Sequence, residues 1–197
     1  MRAFLLQKEN KMIKILAFAG SSRKESFNKK LIKIAAQGAE AAGAKVTLID
    51  LVDYDIPLFN EDLEKEQGMP EKVREFKALL DQHDAFLIAS PEYNGAFSPL
   101  LKNALDWASR SEGENDSALR VFKGKPVVIM STSPGQLGGI RGLVFLRMLL
   151  ANFGMIVLPE QLCIPFASKA FDETGALLDS KQQQGVLNLG ITLAKFA

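Results

Sequence analysis

At 197 residues, 47% hydrophobic and 24% charged, the chain has the length and composition of one globular domain with a sizeable core, and its longest apolar runs fall well short of a membrane span. Lysine and arginine number 24 against 23 aspartate and glutamate, a net charge of +1 that leaves no electrostatic footprint for nucleic acid or an anionic membrane as partner. Cys163 is the one cysteine, which excludes an internal disulfide and a cysteine-built zinc site and makes a reducing, cytoplasmic setting the expectation.

The apolar stretch 3–6 is too short for a signal-peptide core and runs straight into Gln7, Lys8, Glu9 and Asn10. The strand pattern begins just after Met12. Residues 1–12 are therefore expected to form a disordered N-terminal extension, with 1–11 absent if translation starts at Met12, and residues 13–197 the domain. IKILAFA, 13–19, is a near-continuous apolar run of the kind buried on both faces of a parallel sheet.

That strand ends in a small, hydroxyl-rich loop, GSSRKESFN at 20–28, which opens a helix. Backbone amides at a helix start are unpaired and lie at the positive end of the peptide dipoles. Ser21, Ser22 and Ser26 add hydroxyl donors, Arg23 adds a planar cation, and Gly20 permits a close turn. Two readings stand for this loop alone: a phosphate cradle, or an ordinary strand-to-helix turn with Ser26 as its cap. Neither the GxGxxG nor the GxxxxGK[ST] spacing is present, so hydroxyls without a lysine point to a terminal phosphate monoester.

Phe27, Leu31, Ile34, Ala35 and Ala42 then recur at helical spacing, and Gly43 supplies the stop. Residues 45–51 form a looser strand nearer a sheet edge. Residues 53–70, with Pro57, Gly68, Pro70 and the charged run 61–66, are expected to be a long exposed connection. A second helix starts near Pro70, and a third strand spans 85–89. His83, the single histidine, has no carboxylate or serine spaced around it and receives no catalytic role.

SPEYNGAFSPLLKNALDWASR follows at 90–110. Pro91, Asn94 and Gly95 make a tight turn at a strand's carboxyl end, and Ser98 with Pro99 is a cap and first-turn pair for a third helix. Glu92 and Tyr93 invite an acid/base reading. A geometric role fits better, because nothing near them suggests proton transfer; the turn is either a wall for a flat ligand or a plain loop. After a polar crossing, 111–125, a fourth strand at 126–131 ends in STSPGQLGG, whose glycines leave room for a planar ring or build a mobile lid. A helix over 140–153, a short strand at 155–158 continued by 161–164 beyond Pro159, and a helix over 179–196 complete the chain. The last helix is expected to turn Val186, Leu187, Ile191, Leu193 and Ala194 inward. Cys163 falls in an apolar segment and reads as a buried, inert thiol.

Strands alternating with helices predict an α/β fold: a doubly wound five-stranded parallel sheet of order 2-1-3-4-5. Strand order then reverses between the first and third strands. Residues 21–28, 91–95 and 133–139 would surround one mouth, with a phosphate end, a flat turn and a glycine-rich wall, which fits a flavin mononucleotide, FMN.

GSSRKESFN, PEYNG, LKNALDW at 101–107 and SPGQLGG at 133–139 together resemble the NADPH-dependent FMN reductases of the flavodoxin-like superfamily, a group that includes chromate, quinone and azo reductases. The resemblance covers nearly the whole chain from Ile13. It implies an FMN-binding stretch at 21–28, Phe27 included, with the phosphate held by Ser21, Arg23, Ser26 and Asn28. It implies an isoalloxazine lined by Pro91, Glu92, Tyr93 and Asn94, with Gly95 at the turn and Ser133 and Gly135 approaching from the third loop. It further implies NADPH or NADH as reductant, a small-molecule electron acceptor (a quinone, azo compound, chromate or flavin), and a homodimer or homotetramer in which the helix after PEYNG takes part. One departure is visible: Ala96, Phe97, Ser98 and Pro99 stand where many members carry Ser-x-Pro-Gly, which leaves substrate preference open. No side-chain acid or base is required, since the flavin carries the hydride chemistry. The rival readings are a flavodoxin-type electron carrier, commonly acidic where this chain is +1, and a flavin-binding regulatory module.

Overall fold

The computed structural model describes residues 12–113 and 116–197; of the extension expected at 1–12, residues 1–11 lie outside them. Five parallel strands form the central sheet: β1 (Lys14–Ala19), β2 (Lys45–Asp50), β3 (Ala85–Ala89), β6 (Pro126–Thr132) and β7 (Ile156–Ile164), in the order β2-β1-β3-β6-β7. With the short hairpin strands β4 (Glu92–Tyr93) and β5 (Ala96–Phe97) set aside, this is the 2-1-3-4-5 order expected of a flavodoxin-like sheet. The register aligns Ala19 with Asp50 on one side and Ala89 on the other, so the carboxyl ends of the central strands finish level.

The apolar runs split by parity, as the two-residue period of a strand dictates. Ile15, Ala17 and Ala19, with Leu87, Ala89, Val128 and Met130, face α1 (Phe27–Ala41) and α7 (Ser180–Phe196). Leu16 and Phe18, with Phe86, Ile88, Val127 and Ile129, face α3 (Glu71–Gln82), α4 (Pro99–Ala108) and α5 (Ile140–Asn152). Helices α1 and α7 approach until backbone meets backbone. A Cβ at Gly38 would lie 2.0 Å from the Leu187 carbonyl oxygen, and one at Gly190 would lie 1.9 Å from that of Ala35.

The connection 53–70 departs from expectation. It holds a 3-10 turn, Leu51–Tyr54, and a helix α2, Glu61–Gln67. Asn60 caps α2 by accepting from the Asp62 N–H at 2.8 Å, Glu61, Asp62 and Glu64 sit in its first turn, and Gly68 at φ 73° ends it. The charged run is thus a helix start whose carboxylates complement the dipole. Asn103 and Trp107 of α4 anchor this connection: Asn103 accepts from the Phe59 N–H at 2.7 Å, and the Trp107 indole donates to the Pro57 carbonyl at 2.8 Å.

Strand β7 is one nine-residue strand, with its register to β6 broken between Val127 and Ile129 where Pro159 passes. Arg147 of α5 reaches this bulge and donates to the Leu158 carbonyl at 2.8 Å and the Gln161 side chain at 2.8 Å. A further short helix, α6 (Ala167–Ala170), was not expected from the sequence. On α7 the buried set is Val186, Leu189, Gly190 and Leu193; Leu187, Ile191 and Ala194 are only half-buried, because the close glycine contact rotates the helix toward its smallest residues. His83 is structural, with Nδ1 donating to the Leu79 carbonyl and Nε2 paired with the Thr47 hydroxyl, each at 2.7 Å.

Candidate functional site

The loops that follow β1, β3 and β6 are joined at the carboxyl edge of the sheet, on either side of the strand-order reversal. The Gly20 N–H donates to the Ala89 carbonyl at 2.8 Å, and the Ser90 N–H donates to the Met130 carbonyl at 3.0 Å. The Ser131 hydroxyl donates to the Ser90 carbonyl at 2.7 Å. Gly20 admits no side chain, since a Cβ would lie 2.8 Å from that of Leu101 and 2.9 Å from the Ser98 hydroxyl. The first loop is therefore pressed against the start of α4.

Within the first loop, Ser21 and Ser26 are buried while Ser22, Arg23, Lys24 and Glu25 are exposed. Ser26 occupies the cap position of α1, yet its hydroxyl makes no capping bond, and no acidic side chain stands in the first turn. Unpaired helix amides beside an uncommitted hydroxyl, without a competing carboxylate, suit a phosphate. The Arg23 guanidinium lies 5.9 Å from the Phe27 ring centroid, within reach of the loop. Phe27 itself stacks on Phe171 at 5.8 Å, so its ring backs the loop. Asn28 is buried and paired with the end of β6: its amide donates to the Thr132 carbonyl at 2.9 Å, and its oxygen accepts from the Thr132 N–H at 3.1 Å. It locks the first helical turn to the end of β6.

Residues 91–97 form a hairpin in which Asn94 and Gly95 take φ of 53° and 87°, the left-handed pair that closes a two-residue turn. Tyr93 is exposed on it. The Glu92 carboxylate turns away to the start of α5, where it accepts from Arg141 Nε at 2.7 Å and from the Gly142 N–H at 3.1 Å. Burial raises its pKa, and the bonds from Arg141 and Gly142 outweigh that and hold it below the usual carboxylate value. Glu92 thus clamps the hairpin to the glycine loop. Gly139 and Gly142 make room for the clamp: a Cβ at Gly139 would fall 1.9 Å from the Ser131 hydroxyl, and one at Gly142 would fall 3.2 Å from the Ala96 carbonyl.

In the third loop Ser133 is half-buried and Gly135 exposed, and their carbonyls accept from the Ala167 and Phe166 N–H groups at 3.0 and 3.2 Å. The segment around α6 is thereby part of the rim. Sequence reasoning missed it, as it missed Ser90, Ser131 and Thr132; only pairing across the sheet reveals them. Burial, with Glu92 nearby, pushes the Cys163 thiol up to about 11, which leaves it protonated and inert. A groove of about 670 Å³ also runs along the outer face of α1, lined by Lys24, Lys29, Lys30 and Lys33 and by as many carboxylates. It meets the first loop at Lys24, Glu25 and Ser26, and its balanced charge gives no reason to place the flavin ring there.

The sequence and the fold have counterparts among known proteins. The chain is 36% identical over 173 residues to an NAD(P)H-dependent FMN reductase of Pseudomonas aeruginosa, covering 87% of this chain and 88% of that protein. It is 32% identical over 178 residues to a quinone reductase of Escherichia coli K12, covering 89% and 88%. A solved flavoenzyme NAD(P)H:acceptor oxidoreductase from Paracoccus denitrificans superposes with a TM-score of 0.76 at 30% identity, over 94% of this chain and 98% of that one. An archaeal flavodoxin, 14% identical with a TM-score of 0.62, shares the fold. The sequence profile of the family described as NADPH-dependent FMN reductase matches residues 13–169, and with relatives of this identity and coverage the chain belongs to that family.

Proposed function

We propose that residues 13–197 act as one FMN-binding unit that takes reducing equivalents from NAD(P)H and delivers them to a quinone-type acceptor. The observation that carries this is the sewing of three loops, through Gly20, Ser90, Ser131 and Asn28, into one rigid mouth. Bound there, FMN supplies hydride acceptance and release. The Ser21 and Ser26 hydroxyls, the first-turn amides of α1 and the Arg23 guanidinium hold the phosphate end. Asn28 acts as a positioning residue through Thr132. Pro91, Tyr93 and the amides of Asn94 and Gly95 bear on the ring, with Glu92 fixing their place, and those amides favour negative charge developing beside them. Ser133 and Gly135 close the opposite wall. On this reading the mouth needs no side-chain acid or base, since the flavin carries the hydride chemistry.

Acceptor choice follows the quinone reductase relatives. The near-neutral net charge favours an enzyme over a carrier that docks by charge. Anaerobic NADPH or NADH is expected to bleach the flavin of the FMN-loaded protein within seconds, and added quinone to restore the colour. Failure of both nucleotides to bleach it would overturn this reading.

A homodimer or homotetramer belongs to the same proposal. Its support lies on α5, where Ile140, Val144, Phe145 and Met148 leave an apolar face exposed. The double variant Val144→Glu, Met148→Glu is expected to sediment as a monomer where the parent does not. A reducing, cytoplasmic setting agrees with Cys163 being kept as a thiol. Among the described residues no helix is long and apolar enough to cross a membrane.

A further inference from the structure

The segment after β7 carries an aromatic that the proposed chemistry does not use. Phe166 is 53% exposed and stands at φ 52°, a left-handed conformation that a bulky residue rarely adopts. It is pinned there by the bonds from its own N–H and that of Ala167 to the Gly135 and Ser133 carbonyls. The two bonds hold the backbone to the third loop and leave the phenyl ring turned out to solvent. With Pro134, Ser168 and Lys169 it lines a separate cavity of about 440 Å³. Lys169 is exposed, and among the described residues it has no carboxylate partner.

The four side chains make a chemically mixed site: a flat apolar wall from Phe166 and Pro134, then a hydroxyl and an unpaired ammonium at its edge. A planar ring carrying an anionic substituent satisfies both parts. On the FMN reading of the mouth the flavin phosphate is assigned to the loop after β1, and a neutral quinone would leave the ammonium unused. A reduced dinucleotide that delivers its nicotinamide to the mouth must lay its second base on a neighbouring surface, and this cavity adjoins the same loop that walls the flavin. We infer that the cavity formed by Pro134, Phe166, Ser168 and Lys169 is the subsite for the adenosine 2′-phosphate of NADPH, with Phe166 stacking on the adenine and Lys169, aided by Ser168, binding the phosphate. This rests on the FMN reading of the mouth.

The test uses the FMN-loaded protein and calorimetric titration with adenosine 2′,5′-bisphosphate and adenosine 5′-monophosphate as probes. The bisphosphate is expected to bind about tenfold more tightly. Lys169→Gln should remove that preference, while Phe166→Asn, which tolerates the left-handed backbone, should weaken both probes by about fivefold or more. In steady-state kinetics Lys169→Gln should raise the KM for NADPH relative to that for NADH. Equal binding of the two probes by the parent, or an unchanged ratio in Lys169→Gln, would overturn the subsite. Flavin absorbance and bleaching, followed in the same samples, report separately on the FMN reading, so that either idea can fail without the other.

Discussion

Ser26 and Ser98 occupy the same station, the residue before the first turn of a helix, and only one behaves as a cap. Ser98 accepts from the Leu101 N–H at 3.2 Å, whereas Ser26 makes no such bond. Replacing a working cap with alanine costs about 1 kcal/mol of stability. Ser26→Ala is therefore expected to leave unfolding free energy within about 0.5 kcal/mol of the parent while weakening FMN roughly fivefold, a split that urea denaturation and flavin titration measure directly. Ser98→Ala should show the reverse, with a stability loss of about 1 kcal/mol. Arg23 is exposed, and its charge is screened, so Arg23→Ala should weaken FMN by only about threefold to tenfold, and less so at high salt. Asn28 shows what residue type alone leaves out. A polar residue at a helix start reads as a ligand to whatever the loop holds, and the fold also gives it a partner, Thr132, 104 positions away.

At the scale of elements, glycine decides how closely helices pack. Gly38 and Gly190 lie mid-helix, where alanine is ordinarily favoured by about 1 kcal/mol. Here a methyl group at either position would enter the backbone of the opposing helix. Gly38→Ala and Gly190→Ala are each expected to destabilise the protein by about 2–4 kcal/mol despite their better propensity, because overpacking must force α1 and α7 apart. Since α1 carries the first-turn amides of the mouth, flavin affinity should fall with them; thermal unfolding and flavin titration of the same variants check both effects. The sequence pattern placed α1 and α7 correctly. On the inward face of α7 it found Val186, Leu187, Leu193 and Ala194 but passed over Leu189 and Gly190, because the closest contact is made by what is absent from a glycine rather than by what a side chain brings.

At the scale of the whole molecule, a chain of charges holds the crossing after α4 against α3. Lys77, almost fully buried, donates to Asp116 at 2.7 Å and to the Arg110 carbonyl, and Asp116 also accepts from Arg120, which pairs with Asp81. The bonds from Lys77 and then Arg120 hold the Asp116 carboxyl well below the usual carboxylate range, and Arg120 lowers Asp81 in the same way. A carboxylate depressed in the folded state contributes stability that is fully present above its unfolded pKa of about 4 and is lost as pH falls through the folded value. Denaturation midpoints are thus expected to drop as pH falls below about 4. Asp116→Asn should be less stable at neutral pH by on the order of 2 kcal/mol and show a flatter acid limb. By itself the sequence determined the five strands of the parallel sheet, the burial of the central ones on both faces and three loops at its carboxyl edge, because periodicity, turn chemistry and helix caps act over a few residues. It also supplied the motifs that mark the family. Only the tertiary structure decided that Asn28 serves Thr132, that Glu92 clamps α5, that Ser26 is left uncommitted and that Phe166 stands strained beside Lys169, since each depends on partners that are distant in the chain and meet only when the sheet brings its strand ends level.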